Sequence, residues 1–269
     1  MYDEVYVARC ALHRWEEPII SGVCGSGTIF FSGCSLGCVF CQNAKISRGR
    51  IGKRVSTEDI SDMMLGLRDE GAHNINFVTP THFAPSVKEA IILAKNRGLD
   101  IPIVYNTSSY DSTDTLKSLD GIVDIYLADF KFYKSKTSGE LARAENYPEK
   151  ALEAIREMVR QKSEVIIEKG IMRAGVIVRI LLLPAHVAEA KLICKRLFDE
   201  FGDKIYISLM NQYTPMENMK SPLDRTVTRD EYRELVSYAE RMGVKLAFTQ
   251  EHGTAEESFI PEFDLTDAL

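Results

Sequence analysis

The chain has 269 residues, of which 45% are hydrophobic and 27% are charged, a composition that excludes disordered and fibrous proteins. Lysine and arginine total 33 against 39 aspartate and glutamate residues, and the net charge of −6 excludes extended binding to nucleic acid. The most apolar stretch, residues 175–185, is shorter than the roughly 20 residues of a membrane span and contains Arg179. The amino terminus lacks the features of a signal peptide. We therefore predict a cytoplasmic protein that binds neither nucleic acid nor membrane.

Short apolar runs alternate with helical patterns along the chain, and each run is apolar enough for a strand that is buried on both faces. The predicted strands are Thr28–Phe31, Asn74–Thr79, Ile101–Asn106, Asp124–Asp129, Val176–Leu183, Lys204–Leu209 and Lys245–Phe248. The predicted helices are Ser56–Arg68, Ser86–Asn96, Glu149–Gln161, Ala188–Glu200 and Arg229–Arg241. This alternation requires right-handed crossovers and a parallel sheet. Six or seven such units form either an open doubly wound sheet or a curled, incomplete barrel, and periodicity alone does not distinguish them.

Polar side chains follow several of the predicted strands, where both architectures carry their functional residues. These positions are Cys34, Thr79–His82, Asn106–Ser108, Asp129–Lys131 and Asn211–Tyr213. One rim of the sheet therefore collects thiols, amides, a carboxylate and an amine.

Three of the six cysteines, Cys34, Cys38 and Cys41, lie in a glycine-rich loop directly after the first predicted strand. In a reducing compartment such a thiol cluster indicates metal binding. Three thiolates can hold three corners of a 4Fe-4S cluster and leave one iron open to another ligand, as catalysis requires. The alternatives are buried inert cysteines and a zinc site that Cys24 or a histidine such as His13 completes.

At these residues the chain resembles the radical S-adenosylmethionine (radical SAM) superfamily, whose signature C-x-x-x-C-x-Φ-C places Phe40 at the aromatic position. Further segments resemble the pyruvate formate-lyase-activating-enzyme-like branch, and they begin at His13, Asn74, Val104, Asp124 and Ser208. Members of that branch often carry another cysteine-rich segment ahead of this region, and this chain starts a short distance before His13.

The resemblance implies an α/β fold, a partial (β/α)6 TIM-like barrel with the iron–sulfur cluster loop after the first barrel strand. We expect residues 1–25 to pack on the barrel as an N-terminal segment and residues 26–250 to form the radical SAM core domain. Residues 251–269 would then be a C-terminal tail.

The same resemblance implies two cofactors, a 4Fe-4S cluster held by Cys34, Cys38 and Cys41 and S-adenosylmethionine bound at the open iron, with Phe40 near the adenine. Reductive cleavage of S-adenosylmethionine would give a 5′-deoxyadenosyl radical that abstracts hydrogen. Thr79, or a backbone carbonyl beside it, would replace the Gly-Gly-Glu turn that many members have.

Four further positions correspond to cofactor-binding positions of the family. Asn106 and Thr107 replace an Asp-Thr pair, which keeps hydrogen bonding and loses a charge. Asp129 and Lys131 keep a D-x-K element on one strand face and are also the candidate catalytic residues. A structural ion pair between them is the alternative.

Arg179 lies inside the fifth predicted strand, where a buried guanidinium needs a partner. The resemblance favours contact with the ribose or carboxylate of S-adenosylmethionine, and an internal Asp or Glu is the alternative. Gln212 ends the sixth strand, where it contacts the adenine or packs at the rim.

The segment His13–Glu17 combines the only tryptophan of the chain with two adjacent carboxylates, and we interpret it as an anchor of the amino-terminal segment on the barrel. His82 and His252 are interpreted as structural, as lone histidines mostly are. The basic run Arg48, Arg50, Lys53 and Arg54 is predicted to receive an acidic flavodoxin or ferredoxin as reductant.

These observations predict a radical SAM enzyme that activates a glycyl radical enzyme by abstracting hydrogen from a glycine. One alternative is radical modification of a small molecule or of another peptide or protein substrate. The other is a non-catalytic iron–sulfur or zinc protein.

Overall fold

The computed structural model describes residues 4–49 and 51–250. Its strands are β1 (Val5–His13), β2 (Ser26–Phe31), β3 (Lys53–Val55), β4 (Ile75–Val78), β5 (Ile103–Thr107), β6 (Ile125–Asp129), β7 (Ile166–Glu168), β8 (Ile171–Leu181), β9 (Tyr206–Met210) and β10 (Ala247–Thr249). Its α-helices are α1 (Pro18–Ser21), α2 (Ala44–Ser47), α3 (Thr57–Asp69), α4 (Ala84–Asn96), α5 (Thr113–Ser118), α6 (Ser135–Ala142), α7 (Tyr147–Gln161), α8 (Val187–Phe201) and α9 (Arg229–Met242).

The strands form a largely parallel sheet that does not close. Its order is β10-β9-β8-β6-β5-β4-β2-β1-β3, with β7 paired to β8 outside this path. All neighbours from β10 to β2 are parallel, whereas β1 adds antiparallel to β2, and β3 adds antiparallel to β1. Helices follow β2, β4, β5, β6, β8 and β9, so the predicted partial barrel is confirmed.

Each predicted strand and helix overlaps an observed one, and the predicted start of α3 is confirmed in detail. The Ser56 hydroxyl accepts a hydrogen bond from the Asp59 amide at 3.1 Å, and the Asp59 carboxylate accepts one from the Ser56 amide at 2.8 Å. This reciprocal pair satisfies two amides that the helix itself leaves without partners. No described helix is both long and apolar enough to cross a membrane.

Strand β1 was not predicted, because Arg9 and His13 interrupt its apolar pattern. It is stabilised by pairing on both sides, with β2 and with β3. Part of the predicted N-terminal segment is therefore a strand of the main sheet. The predicted tail, residues 251–269, lies outside the described residues, as does His252.

After β1 the chain enters the inside of the sheet and forms the short helix α1. Ile20 of α1 is fully buried in a cluster with Val104, Leu127 and Ile177 of β5, β6 and β8. Side chains two residues apart on a strand share a face. The residues two positions further along, Asn106, Asp129 and Arg179, therefore point to the same inner face above α1.

Candidate active site

A cavity of about 250 Å³ opens at the carboxyl ends of the parallel strands. Every predicted site residue lines it: Cys34, Phe40, Cys38, Cys41, Thr79, Asn106, Thr107, Asp129, Lys131, Arg179 and Gln212. They come from six segments that only the fold brings together, namely the cysteine loop and the carboxyl-terminal parts of β4, β5, β6, β8 and β9. The rim predicted from polar strand ends is thus a single cavity.

The loop that carries the cysteines is tied to its neighbours by backbone hydrogen bonds. The Gly33 amide donates to the Ile46 carbonyl, and the Val39 amide donates to the Leu141 carbonyl, both at 2.9 Å. Gly33 has φ +91°, and a Cβ there would lie 3.0 Å from Nε2 of His82. Glycine is favoured at this position because a side chain would be strained at this backbone angle and would crowd the imidazole.

The three thiols fit a metal cluster by their chemistry. Burial raises the pKa of Cys38 to about 12, and burial also raises the pKa of Cys34. Thiolates at these positions therefore need a strong local cation, which bound iron supplies. Among residues 4–49 and 51–250 no three His, Cys, Asp or Glu side chains surround one metal position, and a 4Fe-4S cluster spreads its thiolates over separate irons.

An ion network forms the floor of the cavity. The Asp129 carboxylate accepts from Nε of Arg179 at 2.7 Å and from Nζ of Lys131 at 2.6 Å. All three side chains are at most 20% exposed. The sequence left open whether Asp129 and Lys131 form an ion pair and whether Arg179 has an internal carboxylate partner, and both contacts are present. Asp129, Lys131 and Arg179 all still line the cavity.

Glu16, which the sequence indicated only as part of an anchor segment, lies at the cavity. Its carboxylate accepts from Arg179 at 3.3 Å and from the amides of Asn76 and Asn106, each at 3.2 Å. The side chain of Glu16 is 10% exposed and lines the cavity. The two adjacent carboxylates before Pro18 were the available signal, but nothing in the sequence places them beside β8.

Burial and charge shift these groups in different directions. Burial opposes ionisation of Asp129, but Arg179 and Lys131 outweigh it and hold the pKa of Asp129 below its ordinary value. Burial opposes the charge of Lys131 as well, and Asp129 reverses that effect and raises its pKa. Burial dominates at Glu16 and raises its pKa against the attraction of Arg179. Glu17, buried beside it, has its pKa raised to about 7 by burial.

Asn106 and Thr107 have different hydrogen-bond partners. The Asn106 amide is bonded to Arg179 at 2.8 Å and to Glu16 at 3.2 Å. The Thr107 hydroxyl donates to the buried Asp111 at 2.5 Å. Thr79 has φ +59°, which is rare for a β-branched residue and marks local strain at the cavity wall.

Aromatic and amide side chains form another part of the cavity wall. Phe40 is buried and packs edge-on against Phe132 and Tyr213, with ring centroids 6.0 and 6.1 Å apart. Gln212 accepts a hydrogen bond from Gln42 through its carbonyl and from Gln250 through its side chain, both at 3.0 Å. This wall offers an apolar surface of the kind that a planar base requires.

Of the remaining candidates, two line the cavity and two, Cys24 and His82, are not among its lining residues. His13 and Trp15 line it, and the Trp15 side chain is 64% exposed. Cys24 is exposed and outside the cavity, where its amide contacts His73 at 3.3 Å. His82 supports the cysteine loop through a 2.8 Å hydrogen bond with the Ser32 carbonyl.

Of the described residues of the basic run, Arg48 contacts the cysteine loop and the other two lie on β3. Arg48 is exposed and donates to the Cys38 carbonyl at 3.0 Å. Lys53 and Arg54 are exposed on β3, and Arg54 pairs with Glu4 at 3.0 Å. Arg50 lies outside the described residues.

Residues 28–186 match the model of the Radical SAM superfamily, which is more than half of the chain. The chain therefore belongs to the radical SAM superfamily and is an enzyme whose cofactors are a 4Fe-4S cluster and S-adenosylmethionine. This result replaces the non-catalytic alternative.

Among curated relatives, the chain is 28% identical to the uncharacterized protein MJ0674 of Methanocaldococcus jannaschii over 260 residues, 91% of this chain and 70% of the relative. Among solved structures, Streptococcus suis SuiB bound to S-adenosylmethionine matches with a TM-score of 0.58 and 15% identity, over 89% of this chain and 52% of SuiB. The FeFe-hydrogenase maturase HydG from Carboxydothermus hydrogenoformans matches with a TM-score of 0.51 and 14% identity, over 87% of this chain and 56% of that chain.

The chain thus spans about half the length of these two solved structures. At such identities the matches show the fold alone. They support the partial barrel and do not select a branch of the superfamily.

Proposed function

We propose that Cys34, Cys38 and Cys41 hold a 4Fe-4S cluster in this cavity and that the chain cleaves S-adenosylmethionine there. The observation that carries the proposal is the meeting of three thiols with Lys131 and Arg179 in one cavity. When bound and reduced, the cluster supplies the electron that splits S-adenosylmethionine into methionine and a 5′-deoxyadenosyl radical.

The side chains of the cavity bind and orient S-adenosylmethionine. Arg179 uses three of its five N–H donors on Asp129, Asn106 and Glu16, so donors remain for the carboxylate of the ligand. Phe40 and Gln212 bound the side that receives the adenine, and Thr79 and Thr107 bound the side that receives the methionyl end. The low exposure of the floor keeps water from the radical.

The substrate we propose is a glycine of a partner protein, from which hydrogen is abstracted. Asp129 and Lys131 keep the D-x-K element of activating enzymes, which supports this branch. The sheet is open between β10 and β3, and this side leaves an approach for a protein segment. A small molecule or another peptide is the alternative substrate, and the site chemistry would be the same.

For the reductant we propose an acidic flavodoxin or ferredoxin that docks on Arg48, Lys53 and Arg54. These cations contrast with a chain that is negative overall. Arg48 also contacts the backbone of Cys38, and a donor bound there lies next to the loop that holds the cluster. We also propose that the protein is cytoplasmic.

The test is anaerobic reconstitution with iron and sulfide, followed by S-adenosylmethionine and dithionite and quantification of 5′-deoxyadenosine. We expect the nucleoside from the wild type and none from Cys38→Ala. Cys24→Ala is the matched control, because this exposed thiol lies outside the cavity, and it should retain the activity. A verified cluster without nucleoside formation would contradict the proposal.

A further inference from the structure

Glu16 lies outside the part of the chain that the family model matches, which begins at residue 28. It nevertheless contacts three strands of the family core, through Asn76 of β4, Asn106 of β5 and Arg179 of β8. The cavity is therefore completed by a residue that the amino-terminal segment adds to the core.

The backbone of Glu16 is held rigidly where the segment enters the sheet. Its amide donates to the Ser21 hydroxyl at 3.0 Å. The backbone carbonyl of the next residue, Glu17, accepts from the Ile20 amide at 2.8 Å at the start of α1. Ile20 is fully buried in the inner apolar cluster. A carboxylate on such a support has little freedom to move.

Arg179 is held in one orientation by three partners on different sides of its guanidinium. Nε donates to Asp129 at 2.7 Å, one terminal nitrogen donates to Asn106 at 2.8 Å, and the other donates to Glu16. Asp129 is shared with Lys131, whereas Glu16 binds no cation other than Arg179 among the described residues. Without Glu16, one terminal nitrogen of a buried guanidinium loses its acceptor, and only two of the three bonds that fix its orientation remain.

We propose that Glu16 is a positioning residue that fixes Arg179 for the binding of S-adenosylmethionine. This inference rests on the proposed function, because it concerns the residue that would receive the carboxylate of S-adenosylmethionine. Glu16 acts through Arg179 and does not itself contact the ligand, since a second carboxylate would repel it. The amino-terminal segment is then part of the cofactor site.

The experiment measures binding of radiolabelled S-adenosylmethionine by equilibrium dialysis to cluster-loaded, oxidised protein, in which no turnover occurs. Glu16→Gln removes the charge and keeps the shape, but it leaves one acceptor oxygen where Glu16 uses one for Arg179 and the other for the two asparagine amides. We expect affinity to fall about tenfold or more, the effect of losing a hydrogen bond to a charged group. Glu16→Asp keeps the charge on a shorter side chain and should fall between Gln and wild type. Glu58→Gln, at an exposed carboxylate of α3, is the control and should bind like wild type.

A double-mutant cycle with Arg179→Gln separates positioning from general damage. Because Glu16 acts through Arg179, Glu16→Gln should cause no further loss of affinity in the Arg179→Gln background. Losses that multiply in the double variant would overturn the inference, and so would wild-type affinity in Glu16→Gln. Should Glu16→Gln fail to fold, the same cycle is run with Glu16→Asp. Wild-type protein with a complete cluster that binds no S-adenosylmethionine would instead overturn the proposed function.

Discussion

Replacing Asp129 by asparagine removes the charge that holds two buried cations together. Asp129 bonds Arg179 at 2.7 Å and Lys131 at 2.6 Å, and the two cations are 13% and 20% exposed. Removing one partner of a buried pair costs about 3–5 kcal/mol. Glu16 still neutralises Arg179, so we expect the lower end, about 3 kcal/mol.

Urea unfolding of the metal-free protein measures this loss directly. With a slope of about 3 kcal/mol per molar urea, the midpoint should fall by about 1 M at pH 7. The pKa of Asp129 is held below its ordinary value, so its contribution is complete above the ordinary pKa and is lost as pH falls through the native pKa. Wild type and variant should therefore converge in acid.

Asp62→Asn is the matched control, because Asp62 pairs with Arg97 at the same short distance, 2.6 Å, but at the surface, where the two side chains are 64% and 43% exposed. An exposed pair of this kind contributes less than about 1 kcal/mol. An Asp129→Asn loss no larger than that of the control would refute the view that the floor is an energetically coupled network.

Three further predictions follow from other parts of the site. Burial raises the pKa of Glu17 from 4.5 to about 7, so the free energy of unfolding falls as the pH rises from 4.5 to 7. Glu17→Gln should remove this pH dependence, up to about 3 kcal/mol, in urea unfolding. Thr79→Gly should be more stable than Thr79→Ala by about 1 kcal/mol, because alanine keeps the cost of φ +59° and glycine does not. Arg48→Glu should slow cluster reduction by an acidic flavodoxin about tenfold at low salt, with a smaller effect at high salt.

Each of these has its own contrary result. A pH profile of Glu17→Gln that is parallel to wild type would place the titrating group elsewhere, with Glu16 as the nearest carboxylate. A less stable glycine variant would show that Thr79 is not strained. Equal slowing by Arg48→Glu and by Arg233→Glu, which changes an exposed cation of α9, would reject a specific docking surface.

Strands and long helices were predictable because their patterns are local. The predicted strand Asp124–Asp129 coincides with β6 to within a residue. Helices α3 and α9 begin directly after the capping residues Ser56 and Thr228. The periodicity did not distinguish an open sheet from an incomplete barrel. The barrel was predicted from the family resemblance. Strand β1 was not predicted because its interspersed polar residues leave it without a clear period.

The residues that line the cavity were predictable from the cysteine motif and from the polar strand ends, whereas the contacts among them were not. The three cysteines are close in sequence, so their spacing indicated the cluster directly. Arg179 could be placed inside the sheet, but its partners could not be chosen, since Asp129 and Glu16 lie 50 and 163 residues away. Such contacts depend on which strands become neighbours, and no local pattern records that.

The position of α1 inside the sheet also sets an order of assembly. Helix α1 contacts β8, which comes much later in the chain, and the pocket that receives α1 exists only after β5, β6 and β8 have paired. Closing so long a loop is slow relative to local helix formation. We therefore expect the segment that contains α1 to dock late in folding. Until it docks, the inner face of the sheet is exposed on the side that α1 covers in the folded protein.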